Sequence, residues 1–239
     1  MIAFPRGVER EVARRLLQRL RVLETLLIER IEADSSPAEI VAAIEATRRA
    51  LDESIRRLPA AMPRHALAVA TQTQAAILAE IKRQAGVDMS DDIRLGALSS
   101  ALSLARAQWT KRIAELVAKA EREALDRLRA QLGAGTSNAR GIVKAESARL
   151  RGRLQLIARS EVGTLQATVS EGTQRALGIY SYVWESQDDA RVRDLHRELD
   201  GDVRRWDNPH PTEGHPGQAV GCRCVARPSL VATGRRRST

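Results

Sequence analysis

Val12, Leu16, Leu20, Leu23, Leu27 and Ile31 recur at steps of three and four, and similar stepping returns, with interruptions, as far as Gly178. An apolar stripe at that spacing lies on one face of an α-helix. Most of this chain can therefore bury its hydrophobic surface only as helices packed side by side. Aromatic residues make up 3% of the chain against 43% hydrophobic overall, so the core they share is aliphatic. A length of 239 residues suits one or two domains, since domains run about 100–200 residues each.

The punctuation divides the stripe. Arg6 to Ala33 reads as one amphipathic helix, with Arg10, Arg14, Arg21, Glu24 and Glu32 on its polar face. Ser36-Pro37-Ala38-Glu39 is a capping box with proline at the first helical position, which starts a second helix. That helix carries Ile40, Ile44, Leu51 and Ile55 and stops before Pro59; Pro59 and Pro63 bracket a tight break. A third helix holds Leu67, Ala70, Ile77 and Ile81 and ends near Gly86. Ser90-Asp91-Asp92 caps a long helix that runs through Leu95 to Leu132. Gly133 to Asn138 is a linker of small and polar residues and sets a domain boundary between residues 135 and 136. Beyond it Ile142, Leu150, Leu154, Ile157, Val162 and Leu165 predict one or two further helices.

The pattern changes after Gly178. Ile179 to Trp184 is aromatic and β-branched, a strand signature found nowhere earlier. Ala190 to Leu199 predicts a short helix capped by Asp188 or Asp189, and Asp200-Gly201 a turn. Asn208 to Gly221 is rich in proline and glycine and is expected to be irregular, with Cys222 to Ala226 as a closing strand. The expected fold is a mainly α N-terminal helical region, residues 1–135, followed by a small α+β C-terminal domain, residues 136–230. A basic, flexible tail covers residues 231–239.

The scarce residue types collect in this last part. His196, His210 and His215, both cysteines, Trp184 and Trp206 all fall between positions 184 and 224. Cys222 and Cys224 are poorly placed to bond to each other, because a disulfide needs converging Cβ vectors, and a reducing compartment is expected. On a strand, residues two apart share a face, so both sulfurs can approach one ion. With His196 and His215 they form a Cys₂His₂ set of the kind zinc takes. The one-residue gap is shorter than the usual two to four, so the expectation is no metal: the cysteines pack as small hydrophobes and His196 holds a loop by hydrogen bonding. Asp189, Arg191, Arg193, His196 and Asp200 form a second set, in which His196 and Asp200 stand four apart and can face each other on a helix. A carboxylate-oriented His196 would suit general base catalysis. No nucleophile or second base accompanies it, so the expected role is a buried hydrogen-bonded network, with no catalytic residue. Glu161, on the preceding helix with Arg159, could reach an arginine of this set, and Trp184 is read as core.

A formal net charge of +9 points either to an anionic partner, with double-stranded DNA bound without sequence preference as the expected one, or to a solvated charged surface or one that docks on an acidic protein. No aromatic residues interleave the basic helices, so base stacking is not expected. No run of about 18 apolar residues is present, and the first residues lack the pattern of a secretory signal, so no membrane contact is expected.

Taken in order, several motifs resemble the phage Mu F-like head morphogenesis family. These are Ala158-Arg159-Ser160-Glu161 on a helix, Tyr182-Val183-Trp184 on a strand, and Asp189-Ala190-Arg191-Val192-Arg193-Asp194-Leu195-His196. Leu199-Asp200-Gly201, His215-Pro216 and Cys222-Arg223-Cys224 complete the series. One departure is that His215-Pro216 stands several residues before Cys222, where the family often has the two nearly adjacent. The resemblance implies a minor head protein of a tailed bacteriophage, without catalytic activity. It implies association with the portal and with capsid or scaffold proteins, in the head interior near the portal and in the host cytoplasm during assembly. Two readings of other classes compete: a metal-dependent nuclease or hydrolase using His196, His215 and nearby carboxylates, and a general basic DNA-binding protein.

Overall fold

The computed structural model describes residues 2–31, 35–133, 138–187 and 192–230, with the side chains at 93–95 and 97 left aside. Its elements are α1 (Arg6–Ile28), α2 (Pro37–Ile55), α3 (Leu58–Ala61), α4 (Pro63–Ala85), α5 (Ile93–Leu132) and α6 (Ala139–Ala176), then β1 (Ser181–Glu185), α7 (Asp194–Glu198), β2 (Val203–Arg205) and β3 (Val225–Pro228). The expected architecture is found: long helices, then a small α+β region built on a three-stranded antiparallel sheet of order β2-β1-β3. Several expectations fall outside the described residues. They are Glu32, the middle of the Gly133–Asn138 linker, Asp188 and Asp189 as caps, Arg191, and the basic tail. The first helix, expected to run to Ala33, already ends at Ile28, followed by a turn at Glu29 and Arg30.

The chain folds as two compact units that interleave along the sequence, one comprising Met1–Val8, His65–Trp109 and Arg159–Thr239, the other Glu9–Arg64 and Thr110–Ala158. Each unit therefore draws on residues from both sides of the linker.

In the unit of Glu9–Arg64 and Thr110–Ala158, the stripe from Val12 to Ile31 is buried throughout, together with Ile40, Ile44 and Leu51 of α2 and Ile113, Val117, Leu125 and Leu128 of α5. The capping box forms as the sequence dictates. Ser36 Oγ accepts from the Glu39 amide at 3.3 Å, and the Ser36 amide donates to Glu39 Oε2 at 2.7 Å. The break bracketed by Pro59 and Pro63 is not open chain but the single helical turn α3, whose Leu58 is buried. One charged pair lies inside this aliphatic core. Arg19 donates from Nε and Nη2 to both oxygens of Glu121, each at 2.7 Å, and also to Ser54 Oγ and the Leu51 carbonyl. Burial pushes the Glu121 carboxyl up, and the facing guanidinium opposes that shift. The bidentate fit and the extra acceptors offset the cost of desolvating both charges.

In the other unit, α4 buries Ala66, Val69, Ala70, Thr73, Ile77 and Ile81. Leu67, assigned above to its apolar stripe, is instead exposed. It sits one residue after Ala66, about 100° around the helix from the buried row. Helix α6 is continuous and ends in a Schellman motif: Gly178, at φ +80, donates to the Arg175 carbonyl and Ile179 to the Gln174 carbonyl. That closure uses Ile179 in the helix cap, so the strand begins at Ser181 rather than at Ile179. β1 is the central strand, pairing Ser181, Tyr182 and Val183 with Arg205, Arg204 and Val203 of β2. Its other edge pairs Tyr182, Val183, Trp184 and Glu185 with Pro228, Arg227, Ala226 and Val225 of β3. Tyr182 and Trp184, two apart, are both fully buried on one face of the pleat. Strand β3 is tied to α4: Gln84 Nε2 donates to the Pro228 carbonyl, and Arg227 pairs with the buried Glu80. Among the described residues no helix is long and apolar enough to cross a membrane.

Candidate functional site

The small sheet covers a core of Tyr182, Trp184, Leu199, Trp206, Cys222, Cys224 and Ala226. The segment from Trp206 to Cys224 contains no strand or helix element, yet hydrogen bonds from α6 fix it at several points. Gln174, fully buried on α6, accepts from Trp206 Nε1 at 3.1 Å and donates to the Ala226 carbonyl at 2.8 Å. Ser160, inside the Ala158–Glu161 motif, accepts from the Gly221 amide at 2.9 Å. The Glu161 carbonyl accepts from the indole of Trp109 at 2.7 Å, and its side chain is buried, while Arg159 is half-buried. Between these anchors the loop backbone comes very close to the helix. A Cβ placed on Gly163 would lie 2.8 Å from the Gly217 carbonyl oxygen and 2.9 Å from that of Cys222. Gly217 itself has φ +88, a conformation that favours glycine.

His196 is the hub. It is buried on α7, and its two ring nitrogens have different partners. Nε2 lies 2.7 Å from Glu213 Oε2, and Nδ1 lies 3.5 Å from Cys222 Sγ and 3.3 Å from Cys224 Sγ. The carboxylate is thus Glu213, not Asp200. Asp200 accepts from the Ser186 amide at 2.6 Å, at the turn where Gly201, at φ +85, donates to the Trp184 carbonyl. Four-residue spacing would pair His196 with Asp200 on a continuing helix, but α7 ends at Glu198 and the chain turns away. Arg193 is the N-cap residue of α7, with no side-chain cap. Its guanidinium donates to Glu213 at 3.2 Å and to the Val220 carbonyl at 2.6 Å. His210 Nδ1 accepts from the Glu213 amide at 3.2 Å and so shapes the turn that delivers this carboxylate.

The cysteines precede β3 instead of lying on it, so the strand argument for their shared face does not apply. A local turn does the same work: the Cys222 amide donates to the Ala219 carbonyl, and the Cys224 amide donates back to Cys222 Sγ at 3.3 Å. The Gly217 amide gives Cys222 Sγ a second donor at 3.4 Å. Hydrogen bonds from Cys224, His196 and these amides pull the Cys222 thiol down to about 5. Cys224, beside that sulfur and buried, is pushed the other way. His196 is raised by its contact with Cys222 and by Glu213, and Glu213 is lowered by His196 and Arg193. Trp184, edge-on to His196 at 5.5 Å, places its indole beside Cys224, and its Nε1 has no acceptor of normal hydrogen-bond geometry.

His215 is held apart from this cluster. Its Nδ1 lies 2.9 Å from the Tyr182 hydroxyl, and its ring packs on Trp206 at 4.9 Å. Burial pulls His215 down and pushes the Tyr182 phenol up, so a neutral imidazole accepts from a protonated phenol. Among the described residues, His196, Cys222 and Cys224 are the group whose potential ligand atoms lie within 4.8 Å of one another. The four-residue set that included His215 is not assembled. Sequence reasoning missed Glu213, Gln174 and Gly163, and it read Tyr182 as a strand residue without its contact to His215. Only the irregular loop's glycines hinted at a close backbone approach.

A protein of Haemophilus influenzae, described only as uncharacterized, is 29% identical over 167 residues, which cover 66% of this chain and 36% of that protein. The chain thus spans little more than a third of that relative's length. No solved structure gives a significant match. The model of the family described as Phage Mu protein F like protein matches residues 103–227. That stretch is more than half of the 239 residues and includes the helix, strand and loop that build the His196 cluster, so this chain belongs to the phage Mu protein F-like family.

Proposed function

We propose that this chain is a structural minor head protein of a tailed bacteriophage, acting in head morphogenesis by binding portal and capsid or scaffold proteins. The observation that carries the reading is family membership across residues 103–227. The site geometry supports a structural role rather than turnover. His196, Cys222 and Cys224, the groups best suited to chemistry, are buried, and their hydrogen bonds are directed to one another and to the loop. The net charge of +9 supports a second contact, with packaged double-stranded DNA and without sequence preference. The place of action on this reading is the head interior near the portal, reached from the host cytoplasm during assembly.

The test uses the full chain, since both compact units draw on residues from either side of the linker. Tagged protein expressed with the head genes is expected to copurify with procapsids and to retain the portal protein on a column. Heads from which the chain is absent, with no portal retained, would overturn the reading. The DNA contact has its own readout. Binding to duplexes of unrelated sequence should be equal, and each phosphate neutralised should steepen the log–log salt slope by roughly −0.9. A flat salt response, or strong preference between sequences, counts against it.

A further inference from the structure

We propose that Cys222, Cys224 and His196 bind one zinc ion as a structural centre, with Glu213 orienting the histidine from behind. Zinc bonds sulfur at about 2.3 Å and imidazole nitrogen at about 2.0–2.1 Å, so a tetrahedral ion holds one sulfur and one nitrogen about 3.6 Å apart. His196 Nδ1 stands 3.5 Å and 3.3 Å from the two sulfurs. Both nitrogen–sulfur edges of a coordination tetrahedron are therefore already in place, with the two sulfurs within 4.8 Å of each other.

The surroundings point the same way independently of these distances. The nitrogen that faces the sulfurs must offer a lone pair, and His196 Nε2 is bonded to Glu213 Oε2 at 2.7 Å, which fixes the ring N–H on the far side. A carboxylate behind a histidine is the usual support for a metal-bound imidazole. Cys222 Sγ accepts two backbone N–H groups, from Gly217 and Cys224, and such donors stabilise a metal thiolate. The Trp184 indole N–H, buried without another acceptor, lies beside Cys224. Charge balances too: two thiolates neutralise one divalent ion, their two thiol protons pass to solvent on binding, and the buried cluster stays neutral overall.

A cavity of about 40 Å³ adjoins the cluster, lined by Gln187, Val192, Arg193 and Arg223 besides the three ligands and Gly221. It has room for a water molecule, which supplies the fourth position. Two sulfurs with one imidazole select zinc over hard cations such as magnesium or calcium. The ion joins α7 to the turn before β3, two short pieces with little core of their own. The earlier objection, the one-residue gap between the cysteines, loses its force because the turn at Cys222 already brings both sulfurs to one nitrogen.

Full-length protein purified without chelator is expected to contain one zinc per chain by elemental analysis, with zinc–sulfur scattering near 2.3 Å in its X-ray absorption spectrum. Cys222→Ser and Cys224→Ser should each abolish stoichiometric zinc. Because a serine variant can fail to fold, intact apoprotein is also titrated with Co²⁺, which should give a thiolate-to-cobalt band in the near ultraviolet and intense tetrahedral bands in the visible. Glu213→Gln should retain those bands with affinity weakened about 10–100-fold, and His215→Ala should keep the metal. Zinc-free protein whose Co²⁺ titration shows no thiolate band overturns the proposal, as does zinc that survives both serine substitutions. A stoichiometric metal other than zinc on the same sulfurs overturns the choice of ion. None of these outcomes depends on whether the chain enters phage heads.

Discussion

Glu80 shows how much one buried carboxylate can contribute in a chain this basic. It accepts from Arg83 Nε at 2.9 Å and Nη2 at 2.6 Å, and from Gln84 at 2.7 Å, while Arg227 of β3 stands 3.7 Å away. The Arg83 hydrogen bonds chiefly, with Gln84 behind them, hold its carboxyl down at about 2 against burial. A depressed folded-state pKa contributes stability that is complete above the ordinary value of about 4.5 and lost as pH falls toward about 2. Acid titration of unfolding should therefore show a decline across that window. Because Arg83 is largely exposed, solvent screens the pair, and the expected contribution is on the order of 1–2 kcal/mol. Glu80→Gln should flatten the decline between pH 4.5 and 2 in urea denaturation followed by circular dichroism. An unchanged pH profile would show that the contacts to Glu80 contribute no stability. Position 80 was also illegible in the sequence: a glutamate next to Ile81, Lys82 and Arg83 reads as a solvated face, yet in the fold it is buried and pairs with Arg227 of β3.

At the scale of elements, the decisive contact is between α6 and the loop from Trp206 to Cys224. Gly163 lets two loop carbonyls lie against the helix backbone, at 2.8 and 2.9 Å from where a Cβ would stand. Those obstacles are backbone atoms and cannot rotate aside. Gly163→Ala should gain helix propensity, yet it should destabilise the unit by about 1–3 kcal/mol through the forced shift. Chemical denaturation measures the loss, and thiol-labelling of Cys222 should accelerate as the loop lifts. Faster labelling without destabilisation, or added stability, would refute the close approach. The Asp200 expectation failed at this scale as well. Its i, i+4 geometry with His196 requires helix through position 200, and the turn at Asp200-Gly201 docks on Trp184 instead. Glu213 then fills the vacant role from 17 residues away.

For the whole molecule, the interleaving of the two units makes a length-wise cut costly. Residues 110–132 and 139–158 complete the unit that begins at Glu9, while Met1–Val8 and His65–Trp109 complete the unit that carries the sheet. A chain truncated after Gly133 should lose cooperative unfolding in both units rather than leave an intact helical half, as tested by thermal circular dichroism and hydrogen exchange. A sharp transition in the truncated chain would show that the region to residue 133 folds alone. The family match begins at residue 103, inside α5, ahead of the compositional linker.

Local chemistry determined what the sequence by itself could decide. The 3.6-residue period built α1, α2, α5 and α6, Ser36 and Glu39 capped α2, Gly86 and Gly178 ended helices, and the change to β-branched and aromatic residues announced β1. These signals act over a few residues, so no distant part of the chain is needed to interpret them. The order of the motifs from Arg159 to Cys224 likewise carried the family resemblance. Tertiary structure alone decided which groups meet: Glu213 rather than Asp200 behind His196, His215 with Tyr182 and Trp206 rather than with the cysteines, and Gly163 against Gly217. Those choices depend on how the irregular loop closes onto α6. Closure is set by burial and by satisfying hydrogen bonds among residues far apart in sequence, a condition that no local pattern records.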